Sequence, residues 1–124
     1  MPAPTPKDQP LRSELYRRYV AMLPCYCCGV VGYSQAAHAD QGKGLALKSD
    51  DRTCYPLCGP HPSGSHFGTV PGCHHRIGSA GHFTRDVRRS FELDALTNTQ
   101  AVLCALAPTD TVLRQLLQRI GLLP

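Results

Sequence analysis

At 124 residues, with a formal charge of +4, 42% hydrophobic residues, no tryptophan and three phenylalanines, the chain is expected to form one small domain. No run approaches the roughly 18 apolar residues of a membrane span, and the start Met1-Pro2-Ala3-Pro4-Thr5-Pro6 lacks the apolar stretch of a secretory signal. The modest charge permits a polyanionic partner without demanding one. A cytoplasmic setting is therefore expected, in which cysteine clusters are more often metal ligands than disulfides.

Residues 1–10 carry four prolines among small and polar residues, a composition that predicts a disordered tail. A helix is expected from Leu11 to Leu23, where Leu11, Leu15, Tyr19 and Leu23 form an apolar stripe flanked by Tyr16 and Val20. Pro24 closes that N-terminal unit, 11–24. Arg12, Arg17 and Arg18 fall mostly off the stripe, and a solvated basic face is the plainer reading than phosphate contact. Cys25-Tyr26-Cys27-Cys28-Gly29 then forms a knuckle, and Val30 to His38 reads as a short strand. Gln41-Gly42-Lys43-Gly44 is a loop without the spacing of a nucleotide-binding loop.

Lys48 to Arg52 is turn material, and Thr53 to Leu57 is a second strand ending at Cys58. Residues 59–72, with four glycines and three prolines, read as a long irregular insertion. A helix starts near Cys73 or His74. Two further helices are expected, Phe83 to Leu96 and Thr97 to Ala107, before Pro108 breaks the second. Thr109 or Asp110 caps a last helix with Leu113, Leu116, Leu117 and Ile120 on one face and Gly121 as its C′ residue. These C-terminal helices, 84–124, either fold back on the core or pair two chains.

The stretch from Cys25 to His82 holds all six histidines and six of the seven cysteines. A unit so small and so poor in large aromatics needs a staple. Cysteines separated by two residues suit a tetrahedral ion, because one tight turn points both sulfurs at it. Cys25, Cys28, Cys58 and Cys73 are the favoured structural zinc set, in the layout of a treble clef, with His61 as an alternative to Cys73. Cys27 and Cys54 are spare, and Cys104 reads as a buried, inert thiol. His61 and His66 in the insertion, with His82, are candidates for a second zinc or for a catalytic ion.

His38 lies between two zinc-ligand groups and near Asp40, and His74-His75 follows directly on Cys73. Phosphodiester hydrolysis needs a base to deprotonate water and a divalent ion to neutralise charge on the phosphate. An imidazole titrating near 6.5 suits the first role. His74 or His75, helped by Asp40, suits the second.

These residues together resemble a family. Cys-x-x-Cys-Gly, Ala-His, a glycine- and lysine-containing loop, Ser-Asp-Asp, Pro-Leu-Cys and Cys-His-His are similar to phage and prophage HNH endonucleases, above all the small recombination-enhancement (Ref) type. The likeness covers residues 25–83. It implies an α+β, zinc-stapled, treble-clef-like ββα-metal core with helical extensions at both ends. It also implies His38 as general base, Asp51 or Asp50 as the residue orienting loop and base, and His74 as the helix metal ligand. Lys43 and Lys48 would lie near the scissile strand, with Arg76 and the Arg85/Arg88/Arg89 cluster on the DNA backbone.

Ala37 stands where many members carry a metal-binding Asp or His, which shifts that work to Asp40. Ile77 or Gly78 stands where a second helix ligand is usual, which leaves His75 or His82 to supply it. The activity implied is metal-dependent cleavage of DNA. Mg²⁺ is the first choice of catalytic ion, and Mn²⁺ or Zn²⁺ can occupy similar sites. A recombinase or another phage protein is an expected partner, as is a second copy through the C-terminal helices. The competing readings are a zinc-stabilised nucleic-acid-binding module without turnover and a purely structural zinc protein.

Overall fold

The computed structural model describes residues 10–39, 50–62, 68–78 and 83–124. The tail at 1–9, Asp40, Lys43, Lys48, His66 and His82 lie outside the described residues. The chain is a small mixed α+β protein, and among the described residues no helix is long and apolar enough to cross a membrane.

The first helix, α1 (Glu14–Ala21), begins three residues later than its apolar spacing suggests. Ser13 caps it, its hydroxyl accepting from the Tyr16 amide at 3.1 Å. Leu11 is kept out of the helix because its backbone is already paired. Its amide donates to Asp50 Oδ2 and its carbonyl accepts from the Asp51 amide, both at 2.9 Å. Tyr16 and Val20, rather than Leu15, form the buried face, and Leu15 is exposed. A strict four-residue repeat drifts about 40° around a 3.6-residue helix at each step, so a stripe read that way cannot all face inward.

Strands β1 (Ser34–His38) and β2 (Cys54–Cys58) pair antiparallel, with Ser34 opposite Cys58 and His38 opposite Cys54. Every residue of β2 is buried. Side chains alternate along β1. Ala36 packs against the α1 side, whereas Ala37 packs into the cluster that contains Cys25, Cys58 and Cys73. The insertion after β2 is partly regular. It folds into a small hairpin of β3 (His61–Pro62) and β4 (Thr69–Val70), which returns the chain to α2 (Cys73–Gly78).

The two helices expected after residue 83 are one, α3 (Arg85–Leu106), capped by Thr84. Thr97-Asn98-Thr99 carries cap-forming residue types but neither glycine nor proline. Thr99 is buried and donates its hydroxyl to the Ala95 carbonyl at 2.7 Å, so the side chain is satisfied within the helix rather than capping a new one. Asp110, not Thr109, caps α4 (Thr111–Arg119), accepting from the Leu113 amide at 3.0 Å.

Leu113, Leu116, Leu117 and Ile120 are buried with Tyr16, Val20, Cys54 and Leu103. The last helix thus folds back on its own chain. Burial of each large aliphatic side chain contributes about 2 kcal/mol. A second apolar cluster surrounds the four cysteines and includes Ala37, Tyr55, Leu57, Ile77 and Ala95. The Phe91 ring packs on it, edge-on to Tyr26, Tyr55 and Phe83.

Asp50 joins the N-terminal segment to the sheet. Its carboxylate accepts from the Leu11 amide at 2.9 Å, the Arg52 amide at 2.8 Å and the Arg52 guanidinium at 2.8 Å. Burial opposes its ionisation, but these donors outweigh burial and bring its pKa down to about 2. A carboxyl depressed on folding stabilises at every pH above its unfolded value and loses that contribution only as pH falls toward the folded one. Asp50→Asn should therefore cost about 1–2 kcal/mol. In urea melts the loss should be the same at pH 5.5 and pH 8.

Candidate metal centre and histidine face

The four-cysteine cluster is built by three tight local structures. In the knuckle, the Gly29 amide donates to the Cys25 carbonyl and the Cys25 amide to the Val30 carbonyl, both at 2.9 Å, with Gly29 at φ +80°. This turn places Cys25 and Cys28 together. Cys58 comes from the end of β2, and Cys73 opens α2. Gly72 makes the last approach possible. It sits at φ +91°, and a Cβ there would lie 2.5 Å from both the Cys58 and Gly59 carbonyl oxygens. Gly72→Ala should therefore displace Cys73. A thermal melt with zinc stoichiometry should show weakened metal retention and a loss of about 2 kcal/mol or more.

The sulfurs of Cys25, Cys28, Cys58 and Cys73 all lie within 4.8 Å of one another. Cys28 Sγ and Cys58 Sγ are 3.7 Å apart, and all seven cysteines are free thiols. Zinc–sulfur bonds of about 2.3 Å in a tetrahedron give an edge of about 3.8 Å, so the spacing suits a shared ion. Backbone amides point at the sulfurs: Cys28 N–H donates to Cys25 Sγ at 3.4 Å and Cys73 N–H to Cys58 Sγ at 3.2 Å.

Burial opposes ionisation of Cys25, yet these amides, that of Cys28 foremost, bring its thiol down to about 7. Burial pushes the Cys58 and Cys73 thiols up, and the neighbouring cysteine sulfurs add to the rise. The donor set is that of a thiophilic dication such as zinc. Cys25, Cys58 and Cys73 are buried, and Cys28 is exposed. Cys28, Cys58 and Cys73 border a cleft of about 510 Å³ with His61 and Arg76. His61 lies outside the four-sulfur group, its Nδ1 donating to the Gly59 carbonyl at 2.8 Å and its ring stacked on Tyr33.

His38 ends β1 and turns toward α1. Its Nε2 is 2.8 Å from Asp51 Oδ1, and Asp51 is fully buried. The Ser13 amide donates to Asp51 Oδ2 at 2.6 Å. Arg12 NH1 lies 3.6 Å from Oδ1 and Arg17 Nε 3.3 Å from Oδ2. A carboxylate can only accept here, so His38 Nε2 carries the proton and Nδ1 presents its lone pair.

His38, Asp51 and Cys54 also place three ligand atoms within 4.8 Å. A dication there would have to compete with two guanidiniums, and burial, with the Asp51 charge beside it, pushes the Cys54 thiol up to about 12. The arrangement is a histidine–carboxylate pair.

His74, in the first turn of α2, has its Nδ1 2.8 Å from Gln35 Oε1. Nδ1 is thus the donor, which leaves Nε2 available to an ion. Burial, with a smaller contribution from the His38 imidazole, lowers its pKa. His74 and His75 line one pocket of about 310 Å³ with Gln35, Gly59, Pro60 and Pro71.

Among the described residues, His74 and His75 belong to no three-ligand group. Of the arginines expected on nucleic acid, Arg76, Arg85 and Arg89 are exposed. Arg88 is instead the ion-pair partner of buried Glu92, 3.4 Å away, to which Tyr55 also donates. Gln35 and the grouping of Arg12 and Arg17 on Asp51 were not read from the sequence. Nothing in helical spacing shows which arginines meet a residue nearly forty positions away.

The fold and site define a small α+β protein with a four-cysteine cluster able to hold a structural metal such as zinc. No protein-family model, curated protein or solved structure matches the chain.

Proposed function

We propose that this chain is a metal-dependent endonuclease of the HNH type, with a zinc-stapled, treble-clef-like ββα-metal core. The observation that carries this reading is the His38–Asp51 pair. A fully buried carboxylate holds Nε2 at 2.8 Å and leaves Nδ1 as the basic atom at the end of the strand. That is the preparation a general base needs to take a proton from water attacking a phosphodiester.

The supporting order is an antiparallel strand pair followed by a helix whose first turn carries His74. His74, and His75 in the same pocket, would hold the catalytic divalent ion, with Asp40 as the carboxylate expected from the sequence. Such an ion supplies charge neutralisation at the phosphate and leaving oxygen. Gln35 fixes the tautomer of His74, and Asp51 fixes that of His38.

A second reading, a nucleic-acid-binding module without turnover, is favoured by one observation. His38 and His74 are held by different partners, and no three-ligand group contains either helix histidine among the described residues. Cleavage of supercoiled plasmid with Mg²⁺ or Mn²⁺, compared with His38→Ala, separates the two. Nicking lost in the variant supports the nuclease; folded, zinc-loaded protein that binds but never cuts supports the module.

A further inference from the structure

We infer that the Gln35 carboxamide touches the substrate, its amide donating to a non-bridging phosphate oxygen of the nucleic acid in the pocket that Gln35 lines with His74 and His75. The inference rests on the nucleic-acid reading above, but not on turnover. It gives Gln35 a role beyond holding the His74 tautomer.

Strand pairing and one glycine place the group. Gln35 stands opposite Leu57 in the register of β1 and β2, and Gly59, just past the end of β2, is its diagonal neighbour. The Gly59 amide donates to the Tyr33 carbonyl at 2.9 Å, which ties this corner to the start of β1. The Gln35 side chain occupies the space that a side chain at residue 59 would fill. A Cβ there would stand 2.5 Å from Gln35 Nε2 and 2.8 Å from its Cδ.

One end of the carboxamide is spent and the other is not. Its Oε1 accepts from His74 Nδ1 at 2.8 Å, so the planar group cannot turn over without losing that bond. Among the described residues, Gln35 Nε2 has no hydrogen-bond partner. A primary amide carries two N–H donors, and both remain to be used. The pocket, about 310 Å³, supplies few competing donors. Pro60 and Pro71 have no backbone N–H, and that of Gly59 is spent on Tyr33. An oriented donor in a pocket shared with two imidazoles suits an oxyanion, and phosphate oxygens are the acceptors a nucleic-acid backbone presents. Such a contact positions the backbone without reading base sequence.

The test is anisotropy of a labelled 20-base-pair duplex bound to zinc-loaded protein without added divalent ion, across a salt series. Gln35→Met should weaken binding about 10-fold, the share of one hydrogen bond to a charged group. The slope of log affinity against log salt should stay unchanged, because a neutral carboxamide releases no counterion. Gly59→Ala should weaken binding similarly. It leaves the Gln35 chemistry intact but takes its place, and Gly59 is not at positive φ, so the fold should survive. Gln35→Glu keeps an acceptor for His74 Nδ1 and replaces the donors with negative charge. It should bind more weakly still, whereas a residue that only oriented His74 would tolerate it.

A readout on the wild-type chain accompanies the variants. In nitrogen-15 spectra the Gln35 side-chain amide pair should shift on adding duplex. An unmoved amide pair, folded Gln35→Met and Gly59→Ala proteins that bind as wild type, or no duplex binding at all overturns the inference. Binding that depends on Gln35 without any cutting would leave it standing while the nuclease reading fell. Cutting by the wild type, with binding unchanged in all three variants, would do the reverse.

Discussion

Replacing Cys58 with serine, or stripping the metal with a chelator, should abolish the fold around the cysteines. Structural zinc in small thiolate sites contributes about 10–16 kcal/mol to the folded state, as much as the whole net stability of a typical domain. Cys58 is the central member. It is fully buried, accepts the Cys73 amide at 3.2 Å and lies 3.7 Å from Cys28.

Without a cation the four thiols face one another in a low-dielectric pocket, and the chain has no disulfide to replace the staple. The cluster containing Ala37, Tyr55, Leu57 and Ile77 should loosen first, taking the near-ultraviolet signal of Tyr26 and Tyr55 with it. The wild type should carry one zinc per chain, and Cys27→Ser or Cys104→Ser should keep it. The exposed Cys28 beside its cleft gives a chelator a route in.

His38→Ala should lower cleavage about 10²–10⁴-fold while melting temperature and zinc content stay near wild type. His38 is partly exposed at a strand end and contributes one hydrogen bond to Asp51, so its removal is mild for the fold. Asp51→Asn is a different experiment. It keeps an acceptor for Nε2 but removes the charge that Arg12 and Arg17 face, and it should lower stability as well as activity. A stability loss in Asp51→Asn without one in His38→Ala, with cleavage reduced in both, is the expected pattern. The kinetics of purified variants at matched zinc loading read it out.

The metal centre was legible because its signal is local. A Cys-x-x-Cys turn followed by glycine states its own geometry, and Cys58 stands at the end of an apolar strand. Cys73 was harder to place, because residues 59–72 separate it from Cys58. The structure closes that distance with a hairpin of two-residue strands and with Gly72 at positive φ, features too short to leave a periodicity.

The C-terminal helices were legible as amphipathic segments, but not the continuity of α3, which runs straight through the cap-forming residue types of Thr97-Asn98-Thr99. Least legible was the surrounding of His38. The family resemblance offered Asp51 or Asp50 as its partner, yet the arginines that share that carboxylate belong to an N-terminal segment whose placement is set by the pairing of Leu11 with Asp50 and Asp51.

The most direct test of phosphodiester cleavage is conversion of supercoiled plasmid to nicked or linear form by zinc-loaded protein. Wild type and His38→Ala are run side by side with Mg²⁺, with Mn²⁺ and with no added ion. Ion-dependent cutting by the wild type that disappears in His38→Ala is the predicted result. Absence of cutting with every ion, or equal cutting by the two proteins, would contradict a His38-based nuclease.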